Sequence, residues 1–427
     1  MALSFSAGTV QWLTTDALSS TKVVTGLGFQ PKAMRFYWVG LQSNQPTNAA
    51  SAAVSERRGV GFAVGVADRR AVGTFSADNA AVADCGSVAV NDCICVTVDG
   101  AGTIDGKLDL SSFDANGFTL IVDDVTPANL TVFWEAWGGT DITVARVGDI
   151  AEPGGTGTQT YTVTGFANER NQCVMFAGVQ STAAVGTGQA QDSGLHVGFA
   201  TGTGTRFQVT LCGNSDDGSD PMDTDGYIRG GECISMITVA GGNPSARAVL
   251  NGFGANSFSL NWAERATSNR RSIFLAIKGG AWEAGGTTIA GNTLNSTVTI
   301  PLPFQVKGIS MITRNSAQSA SDTSAVNDII CLGSAVSTTS RVSAGVFDED
   351  AVGTSEINTT VQYNSVLSVP SGAGGVTAAY DINSLQYNSV QIITDTAGGV
   401  ASTYLGYLAF GDTPYPRNLS VGHPHII

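Results

Sequence analysis

Three landmarks return in the same order along this chain, and they limit its folding more than any other feature. "TGLGFQPKAMRFYW" carries Phe29, "TVTGFANERNQCVMFAG" carries Phe166 and "TIPLPFQVKGISMIT" carries Phe304. The spacings are 166 − 29 = 137 and 304 − 166 = 138 residues. A second landmark, "LSSFDANGFTL" at 110–120, returns as "LNGFGANSFSL" at 250–260 and more weakly as "INSLQYNSVQI" at 382–392. A third closes each copy: "VFWEAWGG" at 132–139, "IFLAIKGG" at 273–280 and "YLGYLAFG" at 404–411. Ordered self-similarity at a fixed period marks repeated structural units. It divides the 427 residues into 1–139, 140–280 and 281–427, each of ordinary domain length. The joins are rich in Gly and Thr, and short enough for either a string of domains or a pseudo-threefold body that mimics a trimer.

Within a copy the period is two. "GLHVGFATG" puts Leu195, Val197 and Phe199 on one face. "KAMRFYWVG" alternates imperfectly, as a strand buried on both faces does. "DGAG", "DANG" and "PSGAGG" supply turn chemistry between such runs. No 11-residue window has helical spacing of its apolar residues. Charged residues are only 13% of the chain, against roughly 25% on average, and 53 glycines favour short strands and turns over long helices. The expected fold is all-β: three tandem antiparallel β-sandwich repeats, jelly-roll-like, with about eight strands each.

The net charge of −14, with five lysines, argues against a groove that tracks a phosphate backbone. The tight basic pairs Arg57-Arg58, Arg69-Arg70 and Arg270-Arg271 read as solvated charges near turns or sheet edges. Seven cysteines without a CxxC pair read as buried free thiols. No apolar run approaches the roughly 18 residues that span a bilayer, and the N-terminal segment lacks the basic and apolar regions of a signal peptide. No nucleic-acid or membrane partner is expected.

Four features could carry chemistry. Gly26-Leu27-Gly28 opens like a dinucleotide fingerprint, but Pro31 stands at its third glycine and a β-rich run replaces the helix that the motif needs. The three histidines, His196, His423 and His425, include no H-E-x-x-H, and no G-x-S-x-G elbow exists. His196 reads as a satisfied strand histidine, and the terminal pair as too few ligands for a metal site. Glu135, between Trp134 and Trp137, resembles an acid in a sugar cleft. Its counterparts, Ala276 or a neighbour and Tyr407, lack a carboxylate, so a surface or interface charge is the competing reading. "NSDDGSDPMDTDG" places Asp216, Asp217, Asp220, Asp223 and Asp225 in one Gly-bearing loop. Hard oxygen ligands on a flexible loop suit calcium, so Asp220, Asp223 and Asp225 are the candidate metal ligands; a solvated acidic loop is the alternative. Beyond calcium, no cofactor is expected. Trp134, Trp137 and Trp262 are the aromatic residues to place on a glycan-binding patch.

"TGLGFQPKAMRFYWVG", "GVGFAVG", "LSSFDANGFTL" and the closing W-G-G together resemble β-sandwich repeat proteins of tailed bacteriophages. In those proteins a G-F-x-P-K strand opens the module and an F-D-x-x-G-F strand closes it. Residues 24–139 carry the pattern best. The second copy keeps Gly165, Phe166 and "NGFGANSFSL" but not the Pro-Lys pair, and the third keeps little. The resemblance implies a non-enzymatic virion structural protein, a capsid decoration or a tail or fibre component, made in the host bacterial cytoplasm. Its partners would be other virion proteins and further copies of itself. A glycan-binding adhesin that contacts a host surface glycan is the alternative, and a glycoside-active enzyme a remoter one. An enzyme would show two carboxylates facing across a cleft.

Overall fold

The computed structural model describes residues 2–52, 55–167, 171–204, 207–237, 243–265, 270–320 and 324–412. It is all-β, and the described residues contain no α-helix. One eleven-strand pattern occurs three times, over 3–139, 144–278 and 281–412; the alternating runs alone suggested about eight strands per copy.

In the first unit a large sheet is formed by β1 (Leu3–Trp12), β11 (Leu130–Gly139), β3 (Pro31–Val39), β5 (Glu56–Gly65), β6 (Asp68–Ser76) and β7 (Cys85–Val90), in that order. A small sheet of β2 (Thr21–Thr25), β10 (Gly117–Asp124), β9 (Ile104–Asp114) and β8 (Cys95–Val98) covers it. The second unit repeats the large sheet with β12 (Val144–Ala151), β22 (Arg271–Lys278), β14 (Gln172–Val179), β16 (Leu195–Ala200), β17 (Gln208–Ser215) and β18 (Thr224–Gly230). The third uses β23 (Ala281–Ile289), β33 (Thr403–Asp412), β25 (Gln305–Thr313), β27 (Asp328–Ala335), β28 (Arg341–Asp348) and β29 (Ile357–Gln362). Each of these units also has its own four-stranded small sheet.

The fourth strand of each unit leaves home. β15 (Gln189–Ala190) of the second unit pairs with β7 of the first. β26 (Ala325–Val326) of the third pairs with β18 of the second. β4 (Ala49–Ser51) of the first pairs with β29 of the third. Every unit therefore extends the large sheet of the one before it, and the series closes on itself. This is a head-to-tail cyclic arrangement of the kind that makes rings, built here within one chain. The pseudo-threefold body allowed by the joins is the one formed; a linear string is not.

The exchange explains why "KAMRFYWVG" alternates so poorly. Met34, Phe36 and Trp38 face the sandwich interior of their own unit, while Ala33, Tyr37 and Val39 face a central cluster shared by all three large sheets. Met175, Phe199 and Leu211 of the second unit and Ile312, Leu332 and Val346 of the third join that cluster. A central strand such as β3 thus meets apolar residues on both faces, and a fully buried Phe or Leu there contributes about 1.5–3 kcal/mol.

Candidate functional site: the pseudo-threefold axis

The expected sites do not survive as surface features. Trp134, Trp137 and Trp262 are all buried, at 6%, 0% and 1% exposure. Trp134 packs edge-on against Phe118 in the first sandwich, Trp137 lies in the central cluster beside Trp282 and Phe410, and Trp262 lies in the second sandwich with its indole N–H toward Tyr161. None offers a ring face to a sugar. The reason is general to this chain: all six tryptophans are core residues.

The structure does not bring the three aspartates of the acidic stretch together as one ligand group. Asp220 is exposed, Asp223 is half-buried and Asp225 is buried at the start of β18, where Ser324 donates to it. No group of three or more His, Cys, Asp or Glu among the described residues is gathered as metal ligands. Burial pushes the Asp225 carboxyl up to about 6. The loop instead ties units together. Asp217 accepts from the Cys85 amide of the first unit, and the Met222 amide donates to Val352 of the third.

Gly26 and Gly28 have φ of 90° and 78°, so the G-x-G is a turn, with both amides donating to Asn116. His196 is buried, bonded through Nε2 to Ser272, and burial pushes its pKa down to about 3. His423 and His425 lie outside the described residues. Glu135 is fully buried and is an interface charge, not a surface one. It pairs with Arg35 and accepts from Ser310 and Ser334 of the third unit, while the Arg35 guanidinium sits 5.2 Å from the ring of Phe199 of the second. Strand register corrects its counterparts by one residue. Glu135 pairs with Arg35 as Leu275 pairs with Met175 and Leu408 with Ser310, so the equivalents are Leu275 and Leu408.

The basic pairs divide. Arg69 binds Asp109 and Arg70 binds Asp149 of the second unit, both near the surface. Arg58 and Arg270 are buried at 2% and 4% exposure, contrary to the solvated reading.

Arg58 leads to the feature that sequence reasoning missed. Equivalent cross-strand pairs are Glu56 with Ser76, Ser193 with Ser215, and Asp328 with Asp348. All six are buried, and the three pairs converge on the axis. Arg58 reaches Asp328 of the third unit with both terminal nitrogens, its own Glu56 at 2.8 Å, and the Ser193 carbonyl of the second at 3.4 Å. One layer away, Asp348 accepts from Ser215 at 2.6 Å and from Ser76 at 3.4 Å. Burial, reinforced by Asp328 and Asp348 and opposed by Arg58, raises Glu56 to about 8. Burial also raises Asp348 to about 7, against the hydrogen bond from Ser215. For Arg58 burial works against the charge, but Asp328 and Glu56 outweigh it and the pKa is raised.

Three loops cap this layer, 77–84, 216–223 and 349–356, one from each unit. They exchange backbone bonds around the axis. Ala83 and Gly218 bond the first unit to the second, Met222 and Ala351 the second to the third, and Asn79 and Ser355 the third to the first. Ala83, Cys85 and Met222, with Val352 against them, form a small apolar plug from all three units. The chain matches no protein-family model, and no curated protein is significantly similar to it.

Proposed function

We propose that this chain is a non-enzymatic structural protein of a tailed-phage virion, a capsid decoration or a tail or fibre component, acting through protein–protein contacts. The observation that carries the reading is the cyclic strand exchange. One polypeptide forms a closed block with near-threefold faces, a shape suited to a threefold or trimeric position in a larger assembly. The repeated landmarks supply the core strands of that block, in keeping with the phage β-sandwich resemblance. The net charge of −14 favours a soluble protein at high copy number. The adhesin reading loses its motive, because Trp134, Trp137 and Trp262 are core residues. Glu135, the acid that suggested glycosidase chemistry, is engaged by Arg35, Ser310 and Ser334 in the interior. The test is an antibody against this chain applied to purified phage particles from cells that make it, viewed by negative stain. Regular labelling at one position on the particle is expected. Particles that carry no label, with the chain found only free in the lysate, would overturn the reading.

A further inference from the structure

Beyond a passive structural role, the axis has the construction of a pH-responsive junction. Glu56, Asp328 and Asp348 are buried together, Asp348 being the cross-strand partner of Asp328 and bonded by Ser76, the cross-strand partner of Glu56. Arg58 contacts Glu56 and Asp328, while Asp348 is held by the hydroxyls of Ser215 and Ser76. Three ionised carboxylates against one guanidinium would leave an uncompensated buried double negative charge, which a protein interior avoids by holding protons. The other groups around them do not supply the missing cation. Thr74, Ser76 and Ser215 donate neutral hydrogen bonds. Cys85 and Cys212 are thiols whose pKa burial raises above the usual thiol range, so they stay neutral. Arg314, the next cation, spends one terminal nitrogen on the carbonyls of Ala325, Val326 and Asn327 and is faced by Asp225 as well as Asp328. The capping loops 77–84, 216–223 and 349–356 carry carboxylates on every member and no Lys or Arg.

We propose that this junction is a proton-held latch: with Glu56 and Asp348 neutral the three units close at the capped pole, and loss of those protons in alkaline solution opens that pole. Opening is local because the lid is thin. Six backbone bonds, the Ser355 hydroxyl bonded to Ala77 and Ala80, the carboxylates of Asp78, Asp217 and Asp350 accepting amides of neighbouring units, and the plug of Ala83, Cys85, Met222 and Val352 hold the three loops together, whereas the large sheets below are joined by the central cluster. The sign follows from linkage. Each acid is raised in the folded chain above its unfolded value near 4, so its contribution to closure is complete at acid pH and is lost as pH rises through about 7 for Asp348 and about 8 for Glu56.

The test is amide hydrogen exchange of the whole chain at pH 6 and pH 9, corrected for intrinsic exchange. Amides of Asn79, Ala83, Gly218, Met222, Ala351 and Ser355 should lose at least tenfold in protection, while those of the central large-sheet strands do not. Unchanged protection at the pole overturns the proposal. Glu56→Gln with Asp348→Asn fixes both groups in the neutral form and should abolish the loss. Asp348→Ser, which installs the residue found at the two equivalent positions, should remove part of it. Either variant showing the full wild-type pH dependence also overturns the latch.

Discussion

The clasp that closes the first unit on the second can be broken with one methyl group. Gly102 turns the β8–β9 connection with φ of 79°, and β15 passes directly over it. A Cβ at Gly102 would lie 2.5 Å from the Gln189 carbonyl carbon and 2.6 Å from the Ala190 nitrogen, both backbone atoms that cannot swing aside. Gly102→Ala therefore combines two costs. The left-handed conformation costs about 1–2 kcal/mol for a residue with a side chain. Displacing the two-residue ladder Gln189↔Ser87 and Ala190↔Gly86 removes hydrogen bonds of about 0.5–1.5 kcal/mol each. Together these amount to about 2–5 kcal/mol. Unfolding entropy of roughly 2.1 cal/mol/K per residue, scaled to 427 residues, is about 0.9 kcal/mol/K, so Tm should fall by roughly 2–6 °C in a calorimetric melt. Gly399→Ala is the control, because its φ of 64° carries the same kind of strain and a Cβ there meets nothing within 4 Å. Exchange of the Gly186 and Gln191 amides, which bond to Ala89 and Cys85 of the first unit, should quicken only in Gly102→Ala. Equal Tm losses in the two variants, with clasp amides unchanged, would refute the steric argument.

Other expectations follow from buried groups. Arg58→Leu, which copies its equivalents Leu195 and Ile330, should cost about 3–5 kcal/mol in denaturant unfolding by stranding Glu56 and Asp328. Adding Glu56→Ser and Asp328→Ser should restore most of it, and a triple variant as weak as the single one contradicts the reading. His196 titrates well below its usual value, so the stability it contributes is present above about pH 6.5 and is lost as pH falls toward 3. His196→Asn should flatten that acidic limb in a series of melts, and an unaltered limb rules His196 out as its source. All seven cysteines are buried and free, so an aromatic disulfide reagent should titrate none in the native chain and seven after denaturation; rapid native labelling of several would contradict the packing.

Much of the fold was legible because it rests on periodicity. The alternation of Leu195, Val197 and Phe199 and the two-faced burial of "KAMRFYWVG" are both as read. Turn glycines such as Gly26 and Gly28 were recognisable because Pro31 excluded their nucleotide-binding alternative. The exchanged strands were not legible. Gln189–Ala190 and Ala325–Val326 are two residues long, too short to carry a period, and their partners lie in another unit. Tryptophan beside an acid looked like a sugar cleft, since sequence cannot tell an exposed ring from a buried one. Ala276 and Tyr407 lie one residue from Leu275 and Leu408, the strand equivalents of Glu135, and in a strand a one-residue slip moves a side chain to the opposite face. Arg58 looked like an edge charge because its partner Asp328 is 270 residues away and its equivalents, Leu195 and Ile330, are apolar. The axis is where the three copies differ in kind, so a search for similarity passes over it.

The direction of strand exchange sets an order of assembly during synthesis. β15 can complete the first unit's sheet once residue 190 has left the ribosome, and β26 can complete the second once residue 326 has. β4 runs the other way. It ends at residue 51, yet its partner β29 ends at residue 362. At roughly 5–20 residues per second, the nascent chain must carry β4 unpaired for about 15–60 seconds before ring closure. The last seam to form is thus the one whose first half was made earliest, and a neighbouring nascent chain could compete for it during that interval.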